Sequence, residues 1–177
     1  TIGTYSFAGG ESYKLKAWTT SPNGVADCNI YNDTAKAFDM ATPMCGIYTI
    51  GGTDPDFTSF TDAAVALNNA GITCPVVFEI RDGIYDEQIK LYEISGSSPA
   101  NTITFRSESR DSSLVQLHYT TSNPSNDFTL ALTGSDYISF EHMGILRTNG
   151  TNSVLIQDEA SHISFENCRL GNIKSPS

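Results

Sequence analysis

Positive charge is scarce in this chain. Ten Lys plus Arg stand against twenty Asp plus Glu in 177 residues, and no basic cluster forms. Gripping a phosphate backbone needs dense cationic neutralisation, so nucleic acid is excluded as a partner. Long apolar runs are missing as well. Nothing approaches the roughly 18–20 residues of a membrane span, and no span is expected. Histidine is limited to three scattered positions, and the four cysteines form no Cys-x-x-Cys, which removes the usual zinc and haem patterns. A Gly-rich phosphate loop and a Ser-His-Asp arrangement are also absent from the sequence. The chain opens at Thr1 without a Met or a leader-like segment, and both ends read as cuts. A piece of a larger protein is expected, with the rest of that chain as its first partner.

What is present is neutral polarity. Charged residues are only 17% of the chain, while Thr, Ser, Asn and Gly cover the expected surface, as in many all-β extracellular proteins. The net charge of −10 reads first as solubility, and second as a way to recruit Ca²⁺. Cys28, Cys45, Cys74 and Cys168 allow three full pairings, among which the sequence does not choose. In an oxidising compartment Cys28–Cys45 is the first disulfide expected, with Cys168 as a buried thiol.

One repeat dominates the second half. Residues 136–142 read Asp-Tyr-Ile-Ser-Phe-Glu-His, and residues 161–167 read Ser-His-Ile-Ser-Phe-Glu-Asn. The identical core (Ile138/Ile163, Ser139/Ser164, Phe140/Phe165, Glu141/Glu166) extends outward through Leu130/Leu155 and Ile145/Leu170. Alternating apolar residues at such a period imply stacked coils of strand, each too small to bury a face alone. By period two, Ile and Phe point inward while Ser and Glu point outward.

The rest of the chain fits around that stack. In 1–38, Tyr13, Leu15 and Ala17 share one face, Ser21-Pro22-Asn23-Gly24 is a turn signal, and a second strand is expected near Ala35–Phe38. Two or three strands make no independent sandwich. Residues 39–55 read as a linker with a short strand at Ile47–Ile50. A helix is expected over 59–70, capped by Ser59 or Thr58 with Asp62 behind it, stopped by Gly71, and carrying Phe57, Phe60, Ala64 and Leu67 on one stripe. From 56 to 177 the helix leads into strands: Val76–Ile80, Tyr85–Leu91, then Ile103/Phe105 and Val115/Leu117. Hairpin signals between them are absent, which favours a parallel β-helix over a meander.

Three resemblances arise here. Tyr13-Lys14-Leu15-Lys16-Ala17-Trp18 and Asn32-Asp33-Thr34 resemble the closing hairpin of Ig-like domains in long bacterial surface proteins. The helix, Val-Val-Phe-Glu-Ile and Gly83-Ile84-Tyr85-Asp86-Glu87-Gln88-Ile89 resemble the opening of right-handed β-helices of the pectin lyase-like superfamily, in particular its pectin methylesterase branch. Gly46–Phe57 also resembles large secreted proteins of the Bacteroidetes. The fold expected is therefore all-β: a right-handed parallel β-helix with an N-terminal capping α-helix, plus a partial Ig-like β-hairpin at the N-terminus. The catalytic motifs of the methylesterase branch, Gln-Asp-Thr-Leu and Asp-Phe-Ile-Phe-Gly, do not occur, so the resemblance transfers no catalytic residue. The lyases' basic residue finds no match either, because Arg147 and Arg169 are out of coil register.

The residues singled out are mostly structural. Phe60 and Leu67 seal the first coil. Glu87 is expected to accept backbone N–H bonds at a corner, and Asn167 to bond backbone at another, below His142. Glu141 and Glu166 should stack about 4.8 Å apart, giving a carboxylate pair that repels unless solvated or bridged by Ca²⁺. No other cofactor is implied. Asn32 and Asn149 stand in glycosylation sequons, and Thr34 in an Asp-Thr-Ala that resembles an O-glycosylation signal. Two functions follow as expectations. The first is a non-catalytic structural or adhesive segment of a secreted or cell-surface protein, glycan-binding or fibre-forming, with polysaccharide or neighbouring subunits as partners. The second is the N-terminal part of a carbohydrate-active enzyme, a polysaccharide lyase or pectinesterase-like protein, with its chemistry on coils beyond Ser177.

Overall fold

Period-two alternation over short runs, broken at polar corners, makes strands that can bury only one face. The computed structural model of the chain describes residues 5–7, 12–17, 38–120, 127–148 and 150–173. Within them lie β1 (Ser12–Leu15), β2 (Phe38–Ala41), β3 (Met44–Ile50), α1 (Phe60–Ala70), β4 (Ile72–Ile80), β5 (Gly83–Asp86), β6 (Ile89–Leu91) and β7 (Ile103–Ser107). The series continues with β8 (Val115–Thr120), β9 (Leu130–Thr133), β10 (Asp136–Glu141), β11 (Gly144–Thr148), β12 (Val154–Gln157), β13 (Ser161–Glu166) and β14 (Arg169–Ile173).

Three sheets wrap one core. Their orders are β13-β10-β7-β4-β3, β14-β11-β8-β5 and β12-β9-β6, and every pairing within them is parallel. From β4 onward successive strands thus pass from sheet to sheet, and each circuit stacks on the last. This is an all-β parallel β-helix. The repeat falls in register, with Ile138 opposite Ile163, Ser139 opposite Ser164, Phe140 opposite Phe165 and Glu141 opposite Glu166.

The core is a column of rings. Tyr48, Phe78, Phe105, Phe140 and Phe165 occupy one register position on five successive strands. Their neighbouring centroids are 6.0, 4.5, 5.3 and 5.3 Å apart. Offset stacking of this kind adds to the burial of each ring.

The helix closes the first coil. Ser59 is its N-cap, with Oγ accepting from Asp62 N at 3.0 Å, and Gly71 ends it at φ 66°, a left-handed angle natural to glycine. Phe60, Ala63, Ala64 and Leu67 are buried against the coil. Asn68 lays its side-chain amide along the outer edge of β6, donating to Lys90 O at 2.9 Å and accepting from Tyr92 N at 3.0 Å. One side chain there replaces a missing strand, which blunts the edge.

Several details differ from expectation. The run Tyr85–Leu91 is two strands, because Glu87 and Gln88 form a corner: Glu87 turns to α1, while Gln88 Nε2 donates to Phe128 O at 2.7 Å. The short strand expected at Ile47–Ile50 is present but begins earlier, as β3 from Met44, and it pairs with β4 and joins the stack. The disulfide is Cys45–Cys74, not Cys28–Cys45. Pairing of β3 with β4 brings those two Cα atoms to 5.0 Å, a proximity that spacing along the chain does not reveal. Cys168 is a free, half-buried thiol.

At the N-terminus β1 and β2 pair antiparallel, with Tyr13 opposite Met40. Tyr5, Phe7 and Tyr13 form an edge-to-face cluster there. The expected turn at Ser21–Gly24 and strand start at Ala35 lie outside the described residues.

Candidate functional site

Outward side chains of stacked strands form rows across the coils, and these rows are where function would be written. On the five-stranded sheet one row reads Thr104, Ser139, Ser164, with Ser164 Oγ donating to Ser139 Oγ at 2.8 Å. The next row reads Glu79, Arg106, Glu141, Glu166. Arg106 binds Glu79 through Nε at 2.9 Å and through Nη2, and Arg110 reaches Glu141 at 3.4 Å. Glu141 and Glu166 are in register as expected, but Glu141 has an arginine beside it. Among the described residues no group of three or more His, Cys, Asp or Glu gathers in a metal-holding arrangement.

Glu87 works within the cap. Its carboxylate accepts from Phe60 N at 3.2 Å, Thr61 N at 2.7 Å and Thr61 Oγ1 at 2.6 Å. A carboxylate at a helix N-terminus satisfies orphan amides and meets the positive end of the dipole. Phe60 and Leu67 are fully buried beneath it.

Asn167 takes a corner with φ 52°, matching Arg110 at 58° and His142 at 54° in the coils before it. It donates from Nδ2 to His142 Nε2 at 3.2 Å, so the bond runs to a ring and not to backbone. Asn149, Asn32 and Thr34 lie outside the described residues.

Arg147 is completely buried at the end of β11. It lies over the Tyr119 ring at 5.3 Å, donates from Nη1 to Tyr119 O at 3.2 Å, and donates from Nε to Asp127 Oδ1 at 3.1 Å. Asp127 also accepts from Thr151 N; the hydrogen bond from the Thr151 side chain, then that backbone bond and Arg147, hold its carboxyl below the usual range. The pair ties two corners together. Burial pushes the Cys168 thiol up, and its Sγ donates to Phe140 O at 3.3 Å.

A further group assembles on the four-stranded sheet. Asp86 of β5 lies opposite His118 of β8, with Oδ1 3.6 Å from Nδ1. On the other side of that ring, Nε2 is 2.5 Å from Thr148 Oγ1 and 3.4 Å from Thr120 Oγ1. Three coils supply one carboxylate, one imidazole and one hydroxyl in line. Sequence spacing hid this, because the loops between coils differ in length and Thr148 sits one outward position beyond Leu146, the residue that faces His118.

With that geometry in view, solved structures give the fold a likeness. The chain is similar to the pectin methylesterase from Aspergillus niger in deglycosylated and penultimately deglycosylated forms, each at a TM-score of 0.54 and 20% identity. Each match covers 76% of this chain and 49% of the other, so the chain spans about half the length of those proteins. At that identity the likeness shows the fold alone, a parallel β-helix. No protein-family model and no curated protein matches the chain. Among the described residues no helix is long and apolar enough to cross a membrane.

Proposed function

We propose that this chain is part of a carbohydrate-directed extracellular protein whose β-helix coils present their outer faces to a polysaccharide. The fold likeness to an enzyme named for pectin supports this reading and carries it. The rows of Thr104, Ser139 and Ser164 add hydroxyls suited to sugar hydrogen bonding. The Cys45–Cys74 disulfide supports an oxidising compartment, hence secretion or the cell surface. The same proposal keeps residues 1–38 as strands of an Ig-like unit, in a larger surface protein of the Bacteroidetes type.

On the five-stranded sheet one observation favours an adhesive role over an enzymatic one. The charged groups on the five-stranded sheet pair with each other across coils, Glu79 with Arg106 and Glu141 with Arg110, as in a scaffold. Affinity electrophoresis of the chain through gels containing pectin, polygalacturonate, xylan or mannan tests the shared claim. Retardation by at least one polysaccharide is expected, and unaltered mobility in all of them would refute it. Turnover of the retained polysaccharide by the full-length protein then separates enzyme from adhesin.

A further inference from the structure

Asp86, His118 and Thr148 stand in the order that nucleophilic acyl transfer requires. A hydroxyl is a weak nucleophile until a base within hydrogen-bond reach takes its proton, and the base works best when a third group orients it. Thr148 Oγ1 lies 2.5 Å from His118 Nε2, and the Asp86 carboxylate lies 3.6 Å from Nδ1 on the far side of the ring. With the Nδ1 proton facing Asp86, Nε2 is left free to accept from Thr148. Such contacts commonly tighten only when substrate is bound. The His118 and Asp86 side chains are 21% and 69% exposed, so a substrate can reach the group.

We propose that Thr148, His118 and Asp86 form an acyl-transfer site that hydrolyses carboxylic esters. Thr148 Oγ1 attacks the carbonyl carbon while its proton passes to His118 Nε2, and the carbonyl electron pair moves onto oxygen. Collapse breaks the bond to the alcohol, which leaves with the proton from His118, and the acyl group remains on Thr148. Water then attacks, His118 takes its proton, and the acid departs as Thr148 recovers its own. Thr148 and His118 are the catalytic residues and Asp86 is a positioning residue. The site goes beyond the glycan-directed reading and does not depend on it, since any small ester suffices as probe.

The test is hydrolysis of p-nitrophenyl acetate by the chain, with fluorophosphonate labelling mapped by peptide mass. The site predicts turnover above buffer and a label on the peptide carrying Thr148. Thr148→Val and His118→Gln should each lose about 100-fold or more, in line with general-base catalysis. Thr148→Ser should retain both turnover and label, while Asp86→Asn should lower kcat with KM unchanged. Melting curves matching the unsubstituted chain exclude misfolding as the cause. Absence of turnover and label, or a Thr148→Val chain as active as its parent, overturns the proposal.

Discussion

Glu87 and the start of α1 hold each other across the coil: the carboxylate accepts the N–H groups of both Phe60 and Thr61, at 3.2 and 2.7 Å. The helix is thereby pinned where Phe60 and Leu67 cover the first ring of strands. Losing this acceptor should cost about 1–2 kcal/mol, as for lost caps and charged hydrogen bonds. Glu87→Ala is expected to lower Tm by several degrees, at about 2–4 °C per kcal/mol for a chain of this size. Glu87→Gln keeps an acceptor and should fall less. Equal melting of all three chains would show that the bond is incidental.

Asn68 plays the part of a strand for β6, so its loss should be felt locally. In Asn68→Ala the Tyr92 amide, which now donates to Asn68 Oδ1 at 3.0 Å, should exchange with deuterium faster than in the parent. Amides in β10 should be unchanged. Uniform acceleration throughout the chain would point instead to global destabilisation.

The Cys45–Cys74 bond closes a loop with a sequence separation of 29 residues. The chain-entropy account gives such a crosslink about 3–4 kcal/mol. The Cys45→Ser, Cys74→Ser double variant should therefore melt well below the oxidised chain and match the reduced one. Iodoacetamide should modify Cys168 slowly in the folded chain, because burial raises its thiol. Rapid alkylation at neutral pH would contradict the burial.

Phe105 has a ring on each side, Phe78 at 4.5 Å and Phe140 at 5.3 Å, and no exposed surface. Phe105→Ala should cost about 3–5 kcal/mol in chemical denaturation. Phe165→Ala, at a partly exposed position with Phe140 as its ring neighbour, should cost clearly less. Similar losses at both positions would mean the ring column is not the core.

Asp127 supplies a pH signature. Its carboxyl sits below the ordinary aspartate range because the Thr151 side chain donates to it, with Arg147 adding to the effect. A depressed folded value means stability present above the unfolded value and lost as pH falls through the folded one. Asp127→Asn should thus melt below the parent at neutral pH, and the gap should close below about pH 4. A gap independent of pH would show that charge plays no part.

Much of the fold was legible because it depends on local periodicity. The Ile-Ser-Phe-Glu echo gave inward and outward faces, and Ser59, Asp62 and Gly71 bounded the helix. What was hidden depends on register between coils. Cys74 meets Cys45 only because β3 joins the stack, and Glu87 finds its helix only once the coil closes. Asp86, His118 and Thr148 lie 32 and 30 residues apart, intervals that match no repeat, so loop lengths masked their alignment. Asn167 bonds a histidine ring, since the residue stacked on it is not another asparagine.

The central claim is that polysaccharide meets the outer faces of the coils while the helix only seals their end. Hydrogen exchange measured by mass spectrometry, with and without the polysaccharide that retards the chain, tests it most directly. Protection is predicted in β7, β10 and β13, with α1 unchanged. Protection confined to α1, or no change with any polysaccharide, would contradict the account.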